Sequence, residues 1–496
     1  MWMAVLLFLL VSCLTSCNND TSHDSLRFGL ASAPITLDPR FATDAVSARI
    51  NRLLYRRLVD FDSVSLPVPE LASWEVVTAR HYRFTLGEAG RQFVNGQRLI
   101  AADVKATYDS ILDEKNASPH RGALALISRI DAPDDNTVDF YLTKEDMLFP
   151  GRLTIGILPR QQIAAGHPFN REPLGSGYFK FIDWPQAGQL RLLRIADQQQ
   201  VEFIHVKDPT VRVLKLLRGE IDMLQNNLPS ELVAYLSNQE KEQLQIIKSQ
   251  GSNFTYLGFN MADAVVGRAE VREAIAHAID REAIIKYLWA GAARTAEALL
   301  PAQHWAGNSH LQPYEYNPDK ARQMIKALGY DARKPLVISY KTSNDPFRIR
   351  LATVIQSQLA DVGIKVELSS YDWGTFYGDI KAGRFQMYSL SWVGIKSPDI
   401  FRYVFHSSAV PPSGANRGRY NSARADEFIE EAEGSASLIF QTWQYQMLQD
   451  HLHEELPYVP LWYEDHIFIA RSDINGYRVS VDGNYDGLIR AKRIAP

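Results

Sequence analysis

The sequence predicts a large α/β protein with more than one lobe, and three features carry that expectation. The chain has 496 residues, 46% hydrophobic and 22% charged, which is ample material for a buried core and more length than one core usually organises. Apolar residues recur with period two in some stretches and at three- and four-residue spacing in others, with no internal repeat or low-complexity tract. The clearest case starts at LVISYK (336–341), which reads as a buried strand. Ile349, Ala352, Ile355, Leu359 and Val362 then line one helix face, and Gly363 stands where a left-handed C-cap is needed. Ile364, Val366 and Leu368 alternate with Lys365, Glu367 and Ser369 as a second strand. A strand–helix–strand crossover of this kind implies a parallel pair with a right-handed connection.

At the N-terminus, AVLLFLLVSCL (4–14) has the length of a signal-peptide apolar region. It is too short to span a bilayer as a helix, which takes roughly 20 residues. Leu14-Thr15-Ser16-Cys17 resembles a lipoprotein cleavage box, so residues 1–16 read as a signal peptide and Cys17 as the lipidated residue. Met1-Trp2-Met3 departs from the usual pattern in carrying no Lys or Arg. Of the two cysteines, Cys13 would leave with the signal, so no intramolecular disulfide is expected. Residues 17–25 are polar and read as a tether, placing the mature protein on a membrane of the bacterial cell envelope, on the periplasmic side.

Further along, HYRFTL (81–86) followed by Asn95-Gly96 reads as a hairpin, since that dipeptide tolerates positive φ. Asp103 is the expected N-cap of a helix carrying Val104, Tyr108, Ile111 and Leu112. Val271, Ala274, Ile275 and Ala278 line another helix, and Asp280 caps the next, which ends near Gly291. The formal net charge of −4 and the lack of a Lys/Arg run give no footprint for nucleic acid.

Taken in order, a dozen segments resemble the family 5 solute-binding proteins, the oligopeptide-, dipeptide- and nickel-binding proteins of ABC importers. They include TLDP (36–39), PELASWEV (69–76), FVNGQRLIAADV (93–104), EPLGSGYFKF (172–181) and LLRGEIDM (216–223). The series continues with YLGFN (256–260), VREAIAHAIDREAIIKYLWAGAA (271–293), YNPDKARQMIKALGY (316–330), DWGTFYGDIKAGRFQMYSLSWVG (372–394) and LPYVPLWY (456–463). The resemblance implies a two-lobed periplasmic-binding-protein type II fold with an extra domain in the N-terminal half. The first lobe would span 26–260, with the extra domain at about 50–170, the second 261–465, and residues 466–496 would return to the first. Strands near 255–262 and 460–470 would join the lobes, and a peptide-like ligand would be enclosed where they meet. The partners implied are membrane permease subunits, the protein itself acting as a monomer without a cofactor.

In peptide-binding members of that group, an Asp shortly after a Trp pairs with the ligand ammonium. The matching segment runs from Ser391 and Trp392 through Val393, Gly394 and Ile395 to Pro398 and Asp399, and the place of that Asp falls on Ile395. An aliphatic group forfeits a charge-assisted bond worth about 1.5–3 kcal/mol. Asp399 either supplies the carboxylate from a rearranged loop or caps the helix starting at Ile400. Trp373 matches a tryptophan that borders ligand in oligopeptide-binding relatives. Lys381 either meets a ligand carboxylate or is a solvated helix-end lysine. Ser389 and Ser391 form a small strand face that either leaves room for ligand main chain or packs. Pro34, Ile35 and Thr36 lie where relatives approach ligand.

Other classes fit less well. Gly175-Ser176-Gly177 lacks the full nucleophile-elbow pattern, and HLHEELP (451–457) is not a zinc-protease helix, so no enzyme is expected. A sensor or chaperone-like lipoprotein of the same fold, or a binder of a metal chelate, haem or sugar derivative, remains an alternative, with His304 and His406 in the second lobe.

Overall fold

A computed structural model of the chain describes residues 25–494 except Ala187 and 240–242. The expected signal peptide, lipid site at Cys17 and tether up to residue 24 lie outside the described residues.

One eleven-stranded sheet runs through both lobes. At its middle two long strands, Leu244–Phe259 and Tyr458–Arg471, pair antiparallel. Beyond Leu244–Phe259 lie Met387–Trp392, Leu336–Ser343 and Ile364–Tyr371, and beyond Tyr458–Arg471 lie Met223–Gln225, Ser25–Leu30, Gln200–His205, Gln189–Arg194 and Phe179–Gln186. Each side has its own core. Leu257, Ile275, Ile338, Ile355, Leu359 and Trp462 fill one, and Leu26, Phe28, Leu53, Phe203, Met223 and Phe468 the other. A third core, built on Tyr82, Phe84, Tyr108, Phe140 and Phe149, lies beneath a separate antiparallel sheet ordered Ala72–Thr78, His81–Leu86, Thr137–Leu142, Ile127–Asp131.

The sequence reading of the crossover agrees with the structure. Leu336 pairs with Ile364 in a parallel register, the helix Pro346–Asp361 lies between, and Gly363 has φ +88°. The helix starts on Asp345, whose carboxylate accepts from the Arg348 amide at 3.0 Å. Asp280 caps its helix likewise, accepting from the Ala283 amide at 2.9 Å.

Two local expectations are corrected. HYRFTL does not pair across Asn95-Gly96; its neighbours are Ala72–Thr78 and Thr137–Leu142, while the Asn95-Gly96 turn closes only a bridge between Gln92 and Arg98. Pairing with flanking strands that bury Tyr82 and Phe84 outweighs the local turn signal. Asp103 is not the N-cap. It sits inside the first turn of Ala101–Leu112, where its carboxylate accepts from the Ile100 amide at 2.9 Å and from the Arg160 amide at 2.8 Å, so it caps from within while also holding the start of the short helix Arg160–Ala164.

The two central strands connect the lobes through an irregularity. Leu244 to Ser249 pair with Arg471 to His466, then the register breaks, and pairing resumes with Asn253 opposite Glu464. Gly251 occupies the break, where an added Cβ would sit 2.3 Å from the Glu464 carbonyl oxygen. Such a bulge bends and twists a strand pair locally, which lets one ribbon serve two lobes of different orientation. Gly251→Ala is expected to lower the unfolding free energy by about 1–3 kcal/mol, the range for forcing extra volume into a packed site. Urea denaturation checks this, and an unchanged midpoint would mean that the ribbon is not constrained there.

Candidate ligand cleft

One wall of the inter-lobe cavity is built on the helix Ala45–Leu54. Asp44 caps it, its carboxylate accepting from the Ser47 amide at 2.8 Å. Its C-terminal end is approached closely by Gly175 and Gly177. The Gly177 amide donates to the Leu54 carbonyl at 2.9 Å, and a Cβ on Gly175 would lie 1.9 Å from that oxygen. The Gly-Ser-Gly segment is therefore a place where two backbones must touch, which accounts for both glycines. Asn51, Arg52 and Tyr55 line the cavity from this helix and its end, joined by Asp60 and Phe61 and by the segment from Gly151 to Gly156.

The opposite wall begins where the strand Met387–Trp392 leaves the sheet. Trp392, Val393, Gly394, Ile395, Lys396 and Asp399 line the cavity, with Gly394 at φ +70° turning the chain before the helix Ile400–Phe405. The cavity volume is about 580 Å³, within the range of small-molecule sites.

Charges on both walls are already neutralised. Arg52 holds Asp60 at 2.5 Å and Asp486 at 2.7 Å, and Arg57 reaches Asp60 at 3.1 Å and Glu70 at 2.8 Å. Among the described residues three ion pairs join the two sides of the cleft. Arg152 donates to Asp399 at 3.0 Å while also binding Asp146 at 2.7 Å; Lys396 binds Asp482 at 2.5 Å; and Arg350 binds Glu231. The Trp305 amide also donates to the Val64 carbonyl at 3.0 Å. Burial alone would raise the Asp60 carboxyl, but hydrogen bonds from Arg52 and the charges of Arg57 and Arg52 hold it down at about 2. Burial likewise opposes ionisation of Asp482, yet Lys396 and the Ser480 hydroxyl hold its carboxyl well below the usual range.

Of the residues singled out from sequence, Trp392, Val393, Gly394, Ile395 and Asp399 come together on the cavity wall. Asp399 stands at the N-cap position of the helix Ile400–Phe405, as one alternative expected, but makes no side-chain cap bond; its carboxylate is engaged by Arg152 across the cleft. The others lie off that wall. Pro34 and Thr36 are buried and Ile35 is 71% exposed; the Ile35 and Thr36 amides both donate to Ser47 Oγ, tying this turn to the cleft helix. Trp373 is 58% exposed and stacks on Tyr377, and the Lys381 ammonium lies 5.1 Å from the centre of the Tyr377 ring. Ser389 is buried opposite Leu257. Ser391 Oγ lies 2.6 Å from Thr255 Oγ1 and 3.2 Å from a Glu464 carboxylate oxygen.

His304 hydrogen-bonds the Lys396 carbonyl through Nε2 at 3.0 Å and accepts from the Ala306 amide through Nδ1; burial pushes its pKa down to about 4. It thus steadies the Lys396 loop as a neutral imidazole. His406 Nε2 lies 3.2 Å from Glu430. Among the described residues no three metal-type side chains gather. Asn51, Arg52, Arg152, Lys396 and Asp482 were not singled out from sequence. Arg152 and Asp399 stand 247 positions apart, and no local pattern marks either as the other's partner.

The model of the bacterial extracellular solute-binding proteins, family 5, matches residues 67–411, and the chain belongs to that family. The dipeptide-binding protein of Escherichia coli K12 is 25% identical over 474 residues, covering 87% of this chain and 88% of that protein. Heme-binding protein A of Haemophilus influenzae is 25% identical over 514 residues, covering 94% and 92%. The crystal structure of the ABC transporter substrate-binding protein CtaP from Listeria monocytogenes superposes with a TM-score of 0.82 at 22% identity, over 95% of this chain and 99% of that one. The fold is that of a two-lobed periplasmic binding protein, and the family's members are transport binding proteins, not enzymes. No helix among the described residues is long and apolar enough to cross a membrane.

The depressed carboxyl of Asp60 sets a pH dependence. Its pKa falls from an ordinary 3.8 to about 2 on folding, so its stabilisation is fully present above about pH 4 and is lost as pH falls toward 2; at 1.36 kcal/mol per unit it amounts to about 2 kcal/mol. Urea melts of the wild type and Asp60→Asn should differ by about that much at pH 7 and converge near pH 2. A gap that stays constant with pH would contradict the assignment.

Proposed function

We propose that this chain is the lipid-anchored solute-binding component of an ABC importer, capturing a peptide-like ligand between its lobes and delivering it, as a monomer, to a membrane permease. The observation that carries this reading is the cavity of about 580 Å³ walled by both lobes, whose halves are joined by a bulged strand pair and drawn together by ion pairs. Family membership and a relative named for dipeptide binding support the ligand class. In this reading residues 26–260 and 261–465 form the two lobes, 466–496 return to the first, and Trp392 to Ile395 contact the ligand. The polar run after Cys17 serves as the tether.

Native mass spectrometry of the protein lacking residues 1–17, purified from its own host, is expected to show a bound peptide-like mass that dissociates on denaturation unchanged. Since a relative named for heme is likewise 25% identical and covers 94% of the chain, hemin belongs beside peptides in calorimetric titration, and tight binding of hemin alone would overturn the peptide assignment. For the anchor, a fatty-acid label should be incorporated by the full chain and not by Cys17→Ser; label retained by the variant would exclude Cys17.

A further inference from the structure

The polar groups of the cleft fall into two sets. Every charged side chain on its walls is committed to another protein residue: Arg52 and Arg57 to Asp60, Arg152 to Asp399, Lys396 to Asp482. His120, also on the wall, contacts the Ala42 carbonyl through Nε2, and burial lowers its pKa. Asn51 is different. It is 4% exposed, it lines the cavity from the middle of the Ala45–Leu54 helix, and neither its Nδ2 nor its Oδ1 has a hydrogen-bond partner. On the facing wall Trp392 Nε1 is buried and equally without a partner.

A buried carboxamide with neither its donor nor its acceptor engaged is costly, and native proteins rarely retain one without use. The cheapest partner for it offers one acceptor and one donor side by side, as the N–H and C=O of a single residue in an extended peptide do, or a primary amide. A charged ligand group has no such vacancy. To be paired inside the cavity it must pull Arg152 off Asp399 or Lys396 off Asp482, and each of those displacements breaks a contact that holds the lobes together while leaving a partly buried carboxylate without its cation.

We infer that Asn51 is a ligand-binding and specificity-determining residue that reads a neutral amide of the ligand, with Trp392 Nε1 donating from the facing wall, and that the cleft accepts ligands without free ionised termini. The inference rests on the peptide-like reading above and sharpens it to blocked or internally linked peptides and other neutral amides.

The test offers the full chain a randomised tripeptide mixture in free form and the same mixture N-acetylated and C-amidated, with bound species identified by mass spectrometry and titrated individually. Blocked peptides should bind more tightly than their free counterparts, and equal affinity would overturn the exclusion of ionised termini. Asn51→Leu should weaken them about tenfold or more, the scale of a lost pair of hydrogen bonds. Its thermal midpoint should stand at or above that of the wild type, because an apolar group replaces an unpartnered polar one. Free peptides bound and blocked ones refused, on the unmodified protein, would overturn the inference while leaving the peptide reading intact. Undiminished affinity in Asn51→Leu would overturn the role of that side chain. Neither mixture bound would overturn both readings together.

Discussion

Antiparallel pairing of Leu244–Phe259 with Tyr458–Arg471 is the constraint on which the rest of the molecule depends. Because the ladder hydrogen bonds continue through both lobes, neither lobe can drift or slide independently, yet the register break around Gly251 leaves a short span where the ribbon can bend. The buried side chains on either side of the break belong to different cores: Leu257 and Trp462 to one, Phe468 and Ala470 to the other. A narrow bulged ribbon between separate cores is the place where the chain can bend with least disturbance of either core.

Electrostatics then sets how that space closes. Arg152–Asp399 and Lys396–Asp482 each join residues from opposite lobes at partly buried positions, and Arg152 is itself steadied by Asp146. Such pairs gain little in water and more when the closing walls exclude it, so they favour the closed arrangement without fixing it permanently. The same pairing removes the charges from ligand recognition and leaves neutral hydrogen-bonding groups, with the aromatic and aliphatic surface of Trp392, Val393 and Ile395, to do the selecting. A mechanism that only encloses a solute needs nothing else, and it accords with a family of binding proteins.

Much of the architecture was legible in the sequence because its signals are local. The crossover from Leu336 to Tyr371 announces itself through side-chain period and a capping glycine, and the cleft loop from Trp392 to Asp399 was reached through the resemblance of its segment to known relatives. Where local signals competed with long-range pairing they failed, as at Asn95-Gly96, whose turn closes a bridge and not the expected hairpin, and at Asp103, which lies within the first turn and also accepts from the distant Arg160 amide. The chemistry of the cleft was legible only in part. The loop containing Asp399 was readable as a segment, but its engagement by Arg152 depends on a contact between distant parts of the chain, and Asn51 looks from sequence like any polar residue on an amphipathic helix.

The central claim is that the lobes move as bodies about the bulged strand pair and close on a solute. The most direct measurement is the distance between spin labels at the exposed positions Lys115 and Glu427, one on each side of the cleft, in protein without residues 1–17. The account predicts long and short distances in exchange, with bound solute shifting the population to the short one and Lys396→Met shifting it to the long one. A single distribution, unmoved by either, would contradict it.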